Sequence, residues 1–244
     1  MKHLIITLCA RGGSKGIPGK NIRAIGGKPL IEHSFLHAKQ FALWIEKEFN
    51  LSADIELSTD SEEIISVCQQ FGLSTKYLRP EYLANDTAGK LDAIKDVIQF
   101  SEINKGLTYD YILDLDVSAP MRTMEDLQKA WSTFINNEEA LNLFSVSNAH
   151  KNPYFNMVEM NDEGFYELSK KSKVILSRQT APKVYEMNAS FYFYRREFFE
   201  INPLYLFSNS LVYEMTHESF DLDEIIDFEF LDFLIRENKL SFKL

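Results

Sequence analysis

A nearly continuous apolar run, HLIITLCA (residues 3–10), leads almost directly into Gly12 and Gly13. A strand of this kind has no polar face to give to water, so it belongs inside a parallel sheet covered on both sides. After the glycine-rich stretch, Pro29 opens a helix in GKPLIEHSFLHAKQF, with Leu30, Ile31, Ser34, Phe35 and Ala38 along one stripe. The unit then recurs. DIELSTD (54–60) reads as a strand, and Asp60 with Glu63 makes a capping box for the helix SEEIISVCQQF, which Gly72 closes. STKYLRP (74–80) reads as a short strand, GKLDAIKDVIQFSEI (89–103) as a helix and YDYILDLDVS (109–118) as a strand, and Thr123 caps a helix running to about Asn136. This alternation predicts an α/β fold: a Rossmann-like, mostly parallel sheet flanked by helices.

From about residue 141 to 195 the rhythm changes. LNLFSVSNA, YFNMVEM, GFYEL, KVILSRQ and NASFYFYRRE are strand-like pieces with little helix between them, which predicts an antiparallel insertion inside a single domain spanning residues 1–244. LVYEMT (211–216) reads as a last strand, and residues 223–238 as a helix with a broad apolar stripe.

Charge is unevenly placed. The chain carries 26 basic and 36 acidic residues, yet Lys2, Arg11, Lys15, Lys20, Arg23 and Lys28 fall within the first 31 residues, where there is no Asp or Glu. An acidic protein with one compact basic loop is unsuited to long nucleic-acid backbones and suited to a small anion such as a nucleoside triphosphate. No apolar run approaches the roughly 18 residues of a membrane span. Cys9 and Cys68 lack metal-ligand spacing and read as buried thiols of a cytoplasmic protein.

The loop GGSKGIPGKN (12–21) departs from the P-loop and dinucleotide patterns, because Ser14 stands where each requires glycine and Asn21 follows Gly19-Lys20. The physics of both is retained: glycines let backbone N–H groups approach phosphate oxygens while Arg11, Lys15 and Lys20 neutralise their charge. Farther on, Asp221 and Asp223 are two apart, so in an extended segment they point to one side and offer hard oxygen ligands for Mg²⁺. Asp223 is also placed to cap the last helix.

Taken together, ARGGSKGIPGKNI (10–22), STD (58–60), LRPEYLANDTA (78–88), APMRT (119–123), NASFYFY (188–194) and DLD (221–223) follow the order and spacing of motifs in the CMP-sialic acid synthetases. The chain resembles that family over nearly its whole length, with PYFNMVE and APKVYEMNAS closest to bacterial legionaminic-acid-type members. The resemblance implies a cytidylyltransferase that joins CMP from CTP to a nonulosonic sugar and releases pyrophosphate. It assigns Arg11, Gly12, Gly13, Ser14, Lys15, Lys20, Asn21, Arg79, Asp86, Thr87 and Ala88 to the nucleotide. Lys20, Arg11, Asp221 and Asp223 would serve the chemistry, and the two aspartates would hold Mg²⁺, with Mn²⁺ as a substitute.

On the sugar side the resemblance implies Asp116, Arg122, Tyr154, Phe155, Asn156, Arg178 and Asn188, and a homodimer built through residues 141–195. Three departures stand on that side: Asp116 replaces a glutamine, Glu186 and Ala189 replace an arginine and a glycine, and NPYFNM lacks a lysine. An enzyme acting on an eight-carbon keto-deoxy sugar acid and a non-catalytic nucleotide-sensing module are the alternatives.

Overall fold

The computed structural model describes residues 2–14, 16–170, 177–200 and 209–244. In chain order it forms β1 (His3–Cys9), a small ladder of β2 (Ala24–Ile25) and β3 (Lys28–Pro29), α1 (Leu30–Phe49), β4 (Ser52–Ser58), α2 (Glu62–Gln70), α3 (Lys90–Lys105), β5 (Tyr111–Leu115) and α4 (Met124–Ile135). There follow β6 (Asn142–Asn148), β7 (Val158–Met160), β8 (Tyr166–Leu168), β9 (Tyr185–Arg195), β10 (Ser210–Glu214) and α5 (Ile225–Arg236). Six strands make one sheet in the order β10-β6-β9-β5-β1-β4.

The first apolar run is buried on both faces. Leu4, Ile6 and Leu8 join the larger core with Phe35 and Phe41 of α1 and Trp131 and Phe134 of α4, whereas Ile5 joins a second core with Ile94 and Ile98 of α3. Burying four such side chains contributes about 6–12 kcal/mol before entropy is counted, against about 1 kcal/mol net for one ladder hydrogen bond. Side-chain burial therefore centres β1, which pairs in parallel with β4 on one side and β5 on the other.

Several local expectations change. Ser61, not Asp60, caps α2, its Oγ accepting from the Ile64 N–H at 3.3 Å. Asp60 instead turns to the glycine loop, where its Oδ1 accepts from Gly12 N–H at 2.8 Å. Residues 74–80 form no strand, and the Arg79 N–H bonds the carbonyl just beyond β4, on Thr59 (2.8 Å). Only part of the apolar stripe of α5 docks: Phe228, Leu231 and Leu234 are buried while Ile226 and Phe230 are exposed.

The antiparallel region is divided. β9 lies within the main sheet, antiparallel to both β5 and β6. NLFSV and the ASFYFY stretch are apolar enough on both faces to serve in a sheet interior, and Leu143, Phe191 and Phe193 are fully buried. The described residues between β6 and β9, 149–170 and 177–184, add no strand to the main sheet and include the β7–β8 hairpin, whose strands are exposed. The predicted strand KVILSRQ falls mostly on residues 171–176, outside the described residues; residues 178–180 make a 3₁₀ turn.

Candidate active site

Strands β1, β4 and β5 run parallel and end at Cys9, Ser58 and Leu115, so the loops that follow emerge at one edge. The chain crosses to opposite sides of β1 to reach β4 and β5, and such a switch point opens a crevice at the carboxyl ends of the strands. A cleft of about 280 Å³ lies there, lined among others by Arg11, Ser14, Lys20, Asn21, Arg79, Asp86, Ala88 and Asp116. Residues predicted from three separate segments, 11–21, 79–88 and 116, thus share one space.

Its first wall is the glycine loop. Asn21 Nδ2 donates to the Arg11 carbonyl (2.9 Å), which folds the loop back on itself. Lys20 Nζ donates to the Leu222 carbonyl at 2.9 Å and lies 3.5 Å from Asp223 Oδ1. A Cβ at residue 16 would overlap the Asp223 carbonyl oxygen, so glycine is required there and the loop meets segment 221–223 backbone to backbone. The Leu222 N–H in turn bonds Ser118 O (2.9 Å), docking the aspartate segment against the loop after β5.

The opposite wall is the turn before α3. Asn85 Oδ1 accepts from the backbone N–H groups of Thr87 and Ala88, both at 2.9 Å, and shapes the DTA segment. Asp86 pairs with Arg11 across the cleft at 2.9 Å. The floor holds Cys9, which is half-buried here rather than sealed in the core; burial and the nearby Asp114 push its thiol up to about 12, which keeps it protonated.

Charge concentrates at the far end. Lys90 reaches Asp116 Oδ2 at 2.6 Å and Asp114 Oδ2 at 2.7 Å, and Asp114 also accepts from Thr7 Oγ1 at 2.7 Å. Burial pulls the lysine down, but the two carboxylates hold it well above its usual range. Burial would raise Asp116, yet Lys90 and two bonds from Ser118 bring it to about 2. Asp221 behaves oppositely: burial, then the charges of Asp116 and Asp223, push it up to about 6, and its Oδ1 is buried without a hydrogen-bond partner. An orphaned buried carboxylate oxygen beside a second, exposed carboxylate suits a cation.

Among the described residues no group of three or more His, Cys, Asp or Glu side chains forms a metal cage. Asp221 and Asp223 therefore fit an ion that takes its remaining ligands from phosphates and water, as Mg²⁺ does. Glu224, and not Asp223, stands at the cap position of α5, where the Asp227 carboxylate accepts from the N–H groups of both residues 223 and 224.

Some predicted residues have other work. Arg122 is fully buried and donates to Ser190 Oγ, Ser34 Oγ and the carbonyls of Asp116 and Ala119, which holds the loop that carries Asp116. Burial lowers it to about 10, still charged at neutral pH. Arg79 lines the cleft but is committed to Ser58 through its Nε (2.9 Å) and a terminal nitrogen (2.7 Å). Asn188 is buried between β6 and the segment after β10, bonded to Ser145, Ser147 and Met215. Tyr154, Phe155 and Asn156 lie between β6 and β9, outside the main sheet, and do not line this cleft. Lys15 and the side chain of Arg178 lie outside the described residues.

Sequence reasoning missed Lys90 and Asn85, which line the cleft, and Asp114, which is buried behind Lys90. Two signals were present. LDLD (113–116) places two carboxylates on one side of an otherwise apolar strand, which demands a cation, and Lys90 opens a helix, where the helix dipole disfavours a positive charge.

A parallel sheet that gathers a cationic glycine loop and a paired-aspartate segment at one crevice has the parts of a nucleotidyltransferase. The chain belongs to the cytidylyltransferase family, whose model matches residues 5–240. It is 37% identical, over its full length and 99% of the relative, to the post-translational flagellin modification protein B of Campylobacter coli. It is 36% identical, over 99% of this chain and 98% of the relative, to the CMP-N,N'-diacetyllegionaminic acid synthase of Campylobacter jejuni. Among solved structures, CMP:2-keto-3-deoxy-manno-octonic acid synthetase complexed with CTP shares the fold, with a TM-score of 0.69 at 17% identity over 98% of this chain and 100% of that one.

Proposed function

We propose that this protein transfers CMP from CTP to the anomeric hydroxyl of a legionaminic-type nonulosonic acid, with release of pyrophosphate. The observation that carries the reading is the junction of Lys20 with segment 221–223: a partly buried ammonium bonded to Leu222 O and 3.5 Å from Asp223 joins the glycine loop to the carboxylate pair. In-line attack by the sugar oxygen forms a P–O bond at the α-phosphorus and breaks the bond to the β-phosphate, whose oxygen leaves with the electron pair. The charge growing on pyrophosphate falls beside Lys20 and Arg11, which line the cleft at the glycine loop. Mg²⁺ held by Asp221 and Asp223 would supply Lewis-acid polarisation of the phosphate.

The acceptor class is supported by the relatives, which include a CMP-N,N'-diacetyllegionaminic acid synthase at 36% and a pseudaminic acid cytidylyltransferase at 30% identity. A homodimer belongs to this reading. On the β7–β8 hairpin Val158 faces Leu168 and Met160 faces Tyr166 across the ladder, all four exposed, and an isolated two-stranded ribbon with an uncovered apolar face is not stable in water. The hairpin is the surface a second copy would cover. Two free cysteines accord with the reducing cytoplasm.

Pyrophosphate release from CTP and Mg²⁺ tests the reading against a panel of N-acetylneuraminic, legionaminic, pseudaminic and eight-carbon keto-deoxy acids. Release is expected with a legionaminic-type acid. Lys20→Ala is expected to lower turnover about 10²- to 10³-fold with an unchanged unfolding temperature. Near-normal turnover of that variant would overturn the assignment.

A further inference from the structure

The Lys90–Asp116 pair does more than balance charge, as its valences show. An ammonium has three N–H donors, and a carboxylate oxygen accepts in about two directions. Lys90 donates to Asp116 and meets Asp114 Oδ2 in an ion pair at 2.7 Å, and among the described residues no third oxygen pairs with it; the face of the Tyr192 ring flanks it, its centroid 5.1 Å away. Asp116 Oδ1 is filled by Ser118 N–H and Oγ–H, both at 2.8 Å, while Oδ2 accepts Lys90 alone. One N–H and one lone pair are thus left side by side, on groups 2.6 Å apart that both line the cleft.

The couple is held rigidly. Asp116 is fixed from behind by Arg122, which takes its carbonyl at 2.5 Å. Lys90 is anchored by Asp114, whose side chain is fully buried. A cation at the first residue of α3 opposes the helix dipole, so this position needs a compensating reason.

We infer that Lys90 and Asp116 form a hydroxyl-recognition subsite, donating to and accepting from a hydroxyl or vicinal diol of a substrate. The inference rests on the nucleotidyl-transfer reading above and adds Lys90 to its binding residues. The diol can come from the ribose of the nucleotide or from the acceptor sugar, and the experiment separates the two sources.

The test compares wild type, Lys90→Met and Asp116→Asn with CTP, 2'-deoxy-CTP and 3'-deoxy-CTP, and with the acceptor that supports wild-type turnover. A ribose contact predicts that wild type prefers CTP to one deoxy analogue by about 30-fold and that both variants erase the preference. An acceptor contact predicts an unchanged nucleotide preference and a rise of about 30-fold in the acceptor KM, with the KM for CTP within about twofold. Asp116→Asn keeps the Lys90–Asp114 pair, so it carries the test if Lys90→Met leaves Asp114 stranded and fails to fold. Folded variants that change only the unfolding temperature, with the nucleotide preference and both KM values within about twofold of wild type, overturn the subsite. If wild type releases no pyrophosphate, the function reading fails first; calorimetric binding of the same nucleotides and acid then decides the subsite by the same ratios.

Discussion

At the scale of single residues, the walls of the cleft depend on side chains buried behind them. Arg122 links α1, β9 and the Asp116 loop through four acceptors, none of them a carboxylate. Arg122→Met is expected to cost about 3 kcal/mol or more in chemical denaturation, because those acceptors are left dry, and Arg122→Lys to recover little of it, since a point charge cannot span the same fork. Ala189 carries the opposite kind of cost. It adopts φ 54° beside the register shift in β9, a conformation that penalises a Cβ by about 1 kcal/mol. Replacing it with glycine relieves that strain and loses part of the gain to unfolded-chain entropy, so Ala189→Gly should raise the unfolding temperature by about 1–2 °C. A fall would mean that the backbone does not hold that conformation. The sequence marked position 189 as a departure from a glycine; that the alanine holds a positive φ, a conformation that favours glycine, is a structural fact.

At the scale of elements, one polar cluster ties three of them together. Asp126 caps α4 with Thr123, its Oδ2 also meeting His217 Nε2 at 2.7 Å and its Oδ1 taking the Tyr213 hydroxyl at 3.2 Å. His217 packs on Phe242, and Ser241 donates to Glu218 at 2.7 Å, so the last residues are moored beside β10. Burial lowers the His217 value, but the Asp126 bond outweighs it and the net shift is upward. A raised histidine contributes stability that is complete below its ordinary 6.5 and is lost as pH rises through the higher folded value. Asp126 is lowered despite burial, so its share is present above 3.8 and disappears as pH falls through the lower folded value. His33 and His37, both lowered by burial, act in the opposite sense, so the His217 share is read as a difference: in urea denaturation the stability that His217→Gln removes from wild type should be largest below pH 6.5 and shrink as pH rises through the folded value, and a difference that does not change with pH would remove His217 from the account. The Thr123 cap was legible three residues from Asp126, whereas His217 lies 91 residues from its partner and carries no local signal.

At the scale of the whole molecule, the exposed hairpin is the feature that a single chain leaves unfinished. Val158, Met160, Tyr166 and Leu168 form one apolar face, with Glu159 opposite Glu167 on the other. If the proposed homodimer is built through this hairpin, Met160→Glu should shift the protein toward monomer in analytical ultracentrifugation while the unfolding of the main sheet changes little, and an unchanged oligomeric state would place any interface elsewhere. By itself the sequence determined the alternation of strands and helices, the centring of β1 and the cationic, glycine-rich character of residues 11–21, because apolar periodicity, glycine content and charge are local quantities. Only the tertiary structure decided that β6 and β9 enter the main sheet, that Arg122 supports the site from behind it, and that Lys90 serves Asp114 and Asp116. Those outcomes rest on contacts between residues tens of positions apart, which form only when burial brings the chain together.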